Sequence, residues 1–76
     1  MLGRNLRAIR KYRRINQEVL AAMAGIDTTT LGNIERATAN PRFSTITLLA
    51  EALGVRWVDL ARDDTQALIE ELRTRQ

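Results

Sequence analysis

Few side chains of this sequence could take part in catalysis or hold a metal. The 76 residues include no histidine and no cysteine, and Ser44 is the single serine. Zinc sites built from cysteine or histidine, thiol nucleophiles and every triad that needs an imidazole are therefore excluded. The acidic pairs at 63–64 and 70–71 are interpreted as a helix cap and a solvated helix face. We therefore expect no enzymatic activity, no cofactor, no metal and no small-molecule ligand.

Basic residues are concentrated at one end of the chain. The sequence carries 12 Lys+Arg and 9 Asp+Glu, which gives a net charge of +3. Residues 1–14 contain six basic residues and no acid, namely Arg4, Arg7, Arg10, Lys11, Arg13 and Arg14. Such a block is either a solvated helix face or a surface that meets an anion, most often nucleic acid.

The composition indicates one small globular domain. It is 45% hydrophobic and 28% charged, as in folded chains. The longest uninterrupted run of apolar residues and glycine, 19–26, is far shorter than the ~20 residues that cross a membrane. We therefore expect a cytoplasmic protein with no membrane partner. Since a domain of this size buries only about 60% of its unfolded surface, helix packing or self-association must stabilise it.

Helical periodicity and capping residues predict an all-α fold. Its helices would position the polar residues in the middle of the chain. Apolar spacing predicts a first helix over 2–13. Asn16 and Asp27 are expected to cap the second and third helices, and Gly25 to end the second. Further helices are predicted from Ser44 as cap to Gly54, over 55–61 and over about 64–73. No stretch shows the alternation of apolar and polar residues that is typical of a strand. Met23 and Trp57 are predicted to be core residues.

The second and third helices are predicted to form a helix-turn-helix over about residues 16–36. Ala21 is small where the helices would cross, and Gly25 permits a sharp turn. The outward face of the third helix is then polar and free of acid, comprising Thr28, Thr29, Gly32, Asn33 and Arg36. Such a helix can enter the ~12 Å major groove of B-DNA. Three successive threonines and a glycine are poor helix formers, and this conflict with propensity indicates a functional segment.

The helix-turn-helix residues follow a recognisable order. The string is Gln17-Glu18-x-Leu20-Ala21-x-x-Ala24-Gly25-Ile26-Asp27-x-x-x-Leu31-x-x-Ile34-Glu35. With its flanking patterns it resembles the lambda-repressor-like helix-turn-helix family, which includes phage repressor and Cro proteins and small bacterial regulators of the Xre type. The resemblance covers about residues 2–61. It implies a five-helix domain that binds double-stranded DNA in a sequence-specific manner and regulates transcription.

The resemblance also implies roles for individual residues. Base reading falls to Thr28, Thr29 and Asn33, with Gln17 at the start of the second helix. Phosphate contacts fall to Arg36, Arg42, Arg14 and Thr30. Arg10 and Glu35 match a family pair that ties the first helix to the third, which implies that Arg10 is structural.

Three positions depart from the family pattern. Arg14 and Ala37 stand where the family usually has glycine, and Arg56 stands where it usually has a serine-like cap. The first two replacements are expected to strain a left-handed backbone position or to reshape the turn.

Residues 62–76 extend beyond the DNA-binding domain of 1–61. Their apolar stripe, Leu68, Ile69 and Leu72, either folds back or pairs with a second copy of the chain. The small controller proteins of restriction–modification systems have this length and dimerise through C-terminal helices, so the resemblance favours a homodimer on a palindromic operator. Two other functions stay open: an antitoxin-like module whose main partner is a protein, and a non-specific nucleic-acid binder.

Overall fold

Six α-helices, and no strand, occur within residues 2–75, the part of the chain that the computed structural model describes. They are α1 (Leu2–Tyr12), α2 (Gln17–Ala24), α3 (Thr28–Glu35), α4 (Phe43–Leu53), α5 (Trp57–Leu60) and α6 (Thr65–Arg75). The predicted all-α fold is confirmed. α2 and α3 are joined by a short turn, and α1 packs against α3, α5 and α6.

Short polar caps and two glycines set the ends of α2, α3 and α4. Asn16 Oδ1 accepts a hydrogen bond from the Val19 amide at 2.8 Å, and Asp27 Oδ2 accepts one from the Thr29 amide at 3.0 Å. Gly25 and Gly54 end α2 and α4, both with φ of 72°. These ends agree with the sequence because a cap depends on only three or four neighbouring residues.

Two helix starts differ from the prediction. Ser44 does not cap α4, because the backbone carbonyl of Arg42 already accepts from the Thr45 and Ile46 amides at 3.0 and 3.1 Å. α5 starts at Trp57, two residues later than expected. Arg56 precedes it in an extended conformation, with its amide donating to Asp59 Oδ2 at 3.1 Å.

The core is formed by leucine, isoleucine and alanine side chains from all six helices. The buried apolar residues include Leu6, Ile9, Leu20, Leu31, Leu49, Leu60, Leu68 and Leu72. The predictions for Met23 and Trp57 are wrong, since these side chains are 56% and 45% exposed. In α2 the contact face is taken by Leu20, Ala21 and Ala24, and in α5 it is taken by Asp59 and Leu60.

The C-terminal helix α6 folds back onto its own chain. Leu68 is 0% exposed and Leu72 is 2% exposed, and both belong to the single core cluster; Ile69 is half-buried against it. Leu68 and Leu72, which the sequence analysis assigned with Ile69 to a dimer interface, are thus covered by the chain itself and are not exposed to a second copy. Of the two arrangements considered for residues 62–76, folding back is the one observed over the described part, residues 62–75.

A buried amide holds the α5–α6 connection on α1. The Asn5 side chain is fully buried, and its Nδ2 donates to the carbonyls of Leu60 at 3.0 Å, Asp59 at 3.2 Å and Arg62. The Thr65 hydroxyl donates to Asn5 Oδ1. Asn5 thus supplies polar partners where α6 leaves α5, and this fixes the path of the chain.

The approach of α1 to α3 depends on a residue without a side chain. A Cβ added at Gly3 would lie 2.6 Å from the Ile34 carbonyl oxygen and 2.7 Å from that of Glu35. Only glycine therefore allows the first turn of α1 to rest against the C-terminal end of α3.

Both departures from the family glycines adopt left-handed backbone conformations. Arg14 and Ala37 each have φ of 61°. Of the two expected outcomes, strain and a reshaped turn, the backbone thus shows the strained left-handed one.

Candidate nucleic-acid interface

The N-terminal half of α3 is held by its cap and faces outward. Asp27 Oδ2 accepts from the amides of Thr29 and Thr30, and both threonines are exposed. Thr28 is half-buried, and Leu31 and Ile34 anchor the opposite face in the core. The free face of α3 is consequently a row of hydroxyl and amide groups on a fixed helix.

The one acid of α3 is turned inward and neutralised. Glu35 forms a bidentate pair with Arg10, with Nε to Oε2 at 2.8 Å and Nη2 to Oε1 at 3.1 Å. The Arg10 side chain is only 10% exposed and that of Glu35 only 3%, and Arg10 Nη1 also donates to the Ile15 carbonyl at 3.0 Å. The predicted pair is therefore present in the structure. It leaves the exposed side of α3 without negative charge.

Gln17 joins the same cluster. Its Nε2 donates to Glu35 Oε1 at 3.1 Å, which ties the start of α2 to the end of α3. Gln17, Thr28 and Arg10 line one shallow depression together with Asn16 and Glu18. The structure thus brings two predicted base-reading residues, Gln17 and Thr28, to the same edge of the motif.

Asn33 and Arg36 hold each other in the free protein. Arg36 Nη2 donates to Asn33 Oδ1 at 2.7 Å, and the guanidinium lies over Gly32, where an added Cβ would be 3.1 Å from Nη1. The Thr38 hydroxyl donates to the Asn33 carbonyl at 3.1 Å. The exposed Arg36 therefore lies next to the amide proposed to contact a base.

The remaining predicted phosphate contacts lie outside α3, apart from Thr30. Arg42 is exposed immediately before α4, and Arg14 is exposed in the turn after α1. Neither side chain pairs with an acid among residues 2–75. Both are therefore free to meet an anion.

Two surface features were not assigned by the sequence. The first, termed the α1 groove, is an open cleft of about 510 Å³ between α1 and the end of α3, lined by Gly3, Arg4, Arg7, Ala8, Lys11, Glu35, Arg36 and Ala37. The signal was present in the spacing of the basic residues at 4, 7 and 11, which places them on one helix face.

The second feature, termed the aromatic patch, comprises Phe43, Trp57 and Val58. Phe43 and Trp57 make an edge-to-face contact with ring centroids 5.0 Å apart, yet they remain 57% and 45% exposed. No sequence signal predicted this patch, because Trp57 lies at an apolar helix position and Phe43 precedes the predicted start of the fourth helix.

Within residues 2–75 there is no group of three metal-ligating acidic, histidine or cysteine side chains, and no helix has the length and apolarity needed to span a membrane.

Comparisons with known proteins agree with this geometry. The helix-turn-helix family model matches residues 6–60. The chain is 37% identical over 70 residues to the immunity repressor protein of Bacillus phage phi105, covering 92% of this chain and 47% of the repressor. It thus spans about half the length of that relative.

Two solved structures share the fold. The restriction–modification controller protein C.AhdI from Aeromonas hydrophila superimposes with a TM-score of 0.76 at 34% identity, over 78% of this chain and 89% of C.AhdI. The DNA-binding domain of the P22 C2 repressor gives a TM-score of 0.79 at 28% identity, over 86% of each chain.

Proposed function

Since this chain belongs to the helix-turn-helix family, in its Xre and Cro/C1 branch, we propose that it is a sequence-specific regulator that binds double-stranded DNA with α3 in the major groove. The observation that carries the proposal is the outer face of α3, where Thr29, Asn33 and Arg36 stand clear of the core and the only acid is paired internally. Its site of action would be the cytoplasm, at the nucleoid.

Base reading is assigned to the side chains nearest the N-terminus of α3, since these enter the groove in helix-turn-helix docking. Thr28 and Thr29 offer a methyl group to thymine and a hydroxyl to a base edge. Gln17 lines the adjacent depression, and it bonds Glu35 only through Nε2. Its amide oxygen would therefore accept a hydrogen bond from a base or from a water bound to the DNA backbone. Thr30 and Arg14 would face the phosphates.

Asn33 would read adenine after an exchange of partners. Bidentate recognition needs Nδ2 to donate to adenine N7 and Oδ1 to accept from N6. In the free protein Arg36 occupies Oδ1 at 2.7 Å. A phosphate near α3 would draw the Arg36 guanidinium away, because charge-assisted bonds to phosphate are stronger than bonds to a neutral amide. Phosphate binding and base reading would then be coupled through this pair.

We further propose a homodimer on a palindromic operator. Because α6 covers Leu68 and Leu72, the dimer would form through the aromatic patch instead. Exposed tryptophan and phenylalanine are typical of interface cores. The long dimension of one chain is 31 Å, which is of the same order as the ~34 Å between half-sites one helical turn apart.

Selection of binding sites from random duplex DNA tests the function. We expect a consensus with two inverted half-sites separated by about one helical turn. Recovery of bound duplexes without any consensus would instead identify a non-specific binder, and a stable complex with another protein together with no DNA binding would identify an interaction module.

Two substitutions separate base reading from phosphate binding. Asn33→Ala should relax preference at one position per half-site, at roughly 1–3 kcal/mol for the lost bidentate contact. Arg42→Ala should weaken all sequences alike and lower the salt slope by about 1. Equal loss on every sequence for Asn33→Ala, or an unchanged slope for Arg42→Ala, would contradict the respective role.

The dimer surface is tested by Trp57→Glu, with Thr74→Glu as a control that adds the same charge on the exposed end of α6. Sedimentation should show a monomer for the first variant and a dimer for the second and for the wild type. A Trp57→Glu protein that is folded and still dimeric would exclude the aromatic patch.

A further inference from the structure

We propose that the α1 groove is a second contact with the DNA backbone, in which Arg7 and Lys11, assisted by Arg36, bind phosphates beside the helix-turn-helix. The inference rests on the proposed function and extends it to a helix that carries no base-reading residue.

The groove concentrates unpaired positive charge. Arg4, Arg7 and Lys11 project from successive turns of α1, all are exposed, and none forms an ion pair with an acid among residues 2–75. The one acid in the lining, Glu35, is already neutralised by Arg10.

Two other arginines of the basic block are used internally. Arg10 is buried with Glu35, and Arg13 donates to the Leu53 carbonyl at 3.1 Å. Arg4 also borders a second depression that contains Asp63 and Asp64, which weakens its field. Arg7 and Lys11 are thus the main free charges of α1 on this side.

Arg36 connects the groove to α3. It lines the groove and also bonds Asn33 on the outer face of α3. A duplex held against that face therefore brings a sugar-phosphate strand past Arg36 toward Arg7 and Lys11. Positions 4 to 11 span ~10 Å along the helix, the axial length of about three phosphates of one strand.

Three of the residues that line the groove are small, namely Gly3, Ala8 and Ala37. The groove is open to solvent, so a sugar-phosphate strand can approach its cations. An acidic protein segment would satisfy the same charges, but it would have no reason to lie next to Asn33. Continuity with α3 favours DNA.

The experiment compares the wild type with the double variant Arg7→Ala/Lys11→Ala on two 30-base-pair duplexes, one carrying the selected operator and one with its sequence scrambled. Phosphate contacts carry no sequence information, so affinity should fall by the same factor on both duplexes. Losing two contacts should lower the salt slope by about 1.8, so that the wild type loses roughly twelvefold more affinity than the variant between 50 and 200 mM salt.

The control Arg73→Ala/Arg75→Ala removes the same charge from the end of α6, where both arginines face Glu70 or Glu71. Its salt slope should stay within about 0.5 of the wild type. Wild-type affinity and salt slope in Arg7→Ala/Lys11→Ala would overturn the proposal. An acidic protein segment would then be the alternative occupant of the groove. An equal loss in the control would also overturn the proposal, because net charge alone would then explain the effect.

Two results distinguish an incorrect groove contact from an incorrect proposed function. If the wild type bound neither duplex, the proposed function would be wrong and the groove with it. If the wild type bound the operator selectively while the double variant behaved in the same way, the function would stand and only the groove contact would be lost.

Discussion

Replacing Asn5 by alanine should remove most of the polar attachment between α1 and the α5–α6 connection. The side chain is fully buried and donates to carbonyls of three residues, while Thr65 donates to its oxygen. Two amide hydrogens can make two strong bonds, and the Thr65 hydroxyl makes a third. At about 1 kcal/mol net for each bond, the expected loss is about 3 kcal/mol. That is a large part of the roughly 4–11 kcal/mol expected for 76 residues.

Urea unfolding followed by circular dichroism measures this loss. With a slope of about 1 kcal/mol per molar urea, the midpoint should fall by about 3 M. Asn40→Ala is the matched control, because Asn40 is exposed in the loop before Pro41 and should change stability by less than about 0.5 kcal/mol. Thr65→Val combined with Asn5→Ala should cost less than the sum of the two single changes. A loss below 1 kcal/mol for Asn5→Ala would refute the assignment of this amide as a structural pin.

Three further predictions concern the backbone and the surface charges. Gly3→Ala should destabilise the domain by about 1–3 kcal/mol despite better helix propensity, because the new methyl meets two carbonyl oxygens; a raised urea midpoint would contradict the close approach. Ala37→Gly should raise the free energy of unfolding by about 0.5–1 kcal/mol, since φ is 61° there and glycine removes the strain; unchanged or lower stability would count against it. Arg62 hydrogen bonds lower the pKa of Glu71, so this pair stabilises the fold above about pH 4.5 and stops doing so as the pH falls through the lowered value. In Arg62→Ala, the Glu71 pKa measured by NMR titration should rise toward its ordinary value, and an unshifted pKa would exclude the bond in solution.

Features that depend on a few neighbouring residues were predictable from the sequence. Asn16, Asp27, Gly25 and Gly54 set helix ends through local hydrogen bonds or a left-handed backbone, and all four are found as expected. The inward pair of Arg10 with Glu35 came from the family resemblance, since nothing local joins residues 25 positions apart.

The sequence did not predict the features that depend on which helix packs over which apolar side chain. Apolar periodicity shows that a helix has a face to bury but not what buries it. Trp57 and Leu72 both lie at apolar positions, yet Trp57 is exposed and Leu72 is buried. Asn5 gave a usable signal, because it shares the stripe of Leu2 and Ile9, and a polar residue on a buried stripe needs a partner.

The basic residues in and after the first helix do not form one uniform surface, although their count suggests it. The structure separates those that are bonded internally from those that are exposed. The four cations of this helix and the two that follow it resemble one electrostatic surface in the sequence, but Arg10 is internal and Arg13 bonds a backbone carbonyl. The same helix is fixed on its inner side by Leu6 and Ile9, at its start by Gly3, and through Asn5 to Leu60 of α5 and Thr65 of α6. A helix held at so many points is a rigid platform, and rigid placement is what makes exposed cations specific in position. In the proposed complex, the groove cations would therefore fix the register of the duplex on α3 more than they would attract it from a distance.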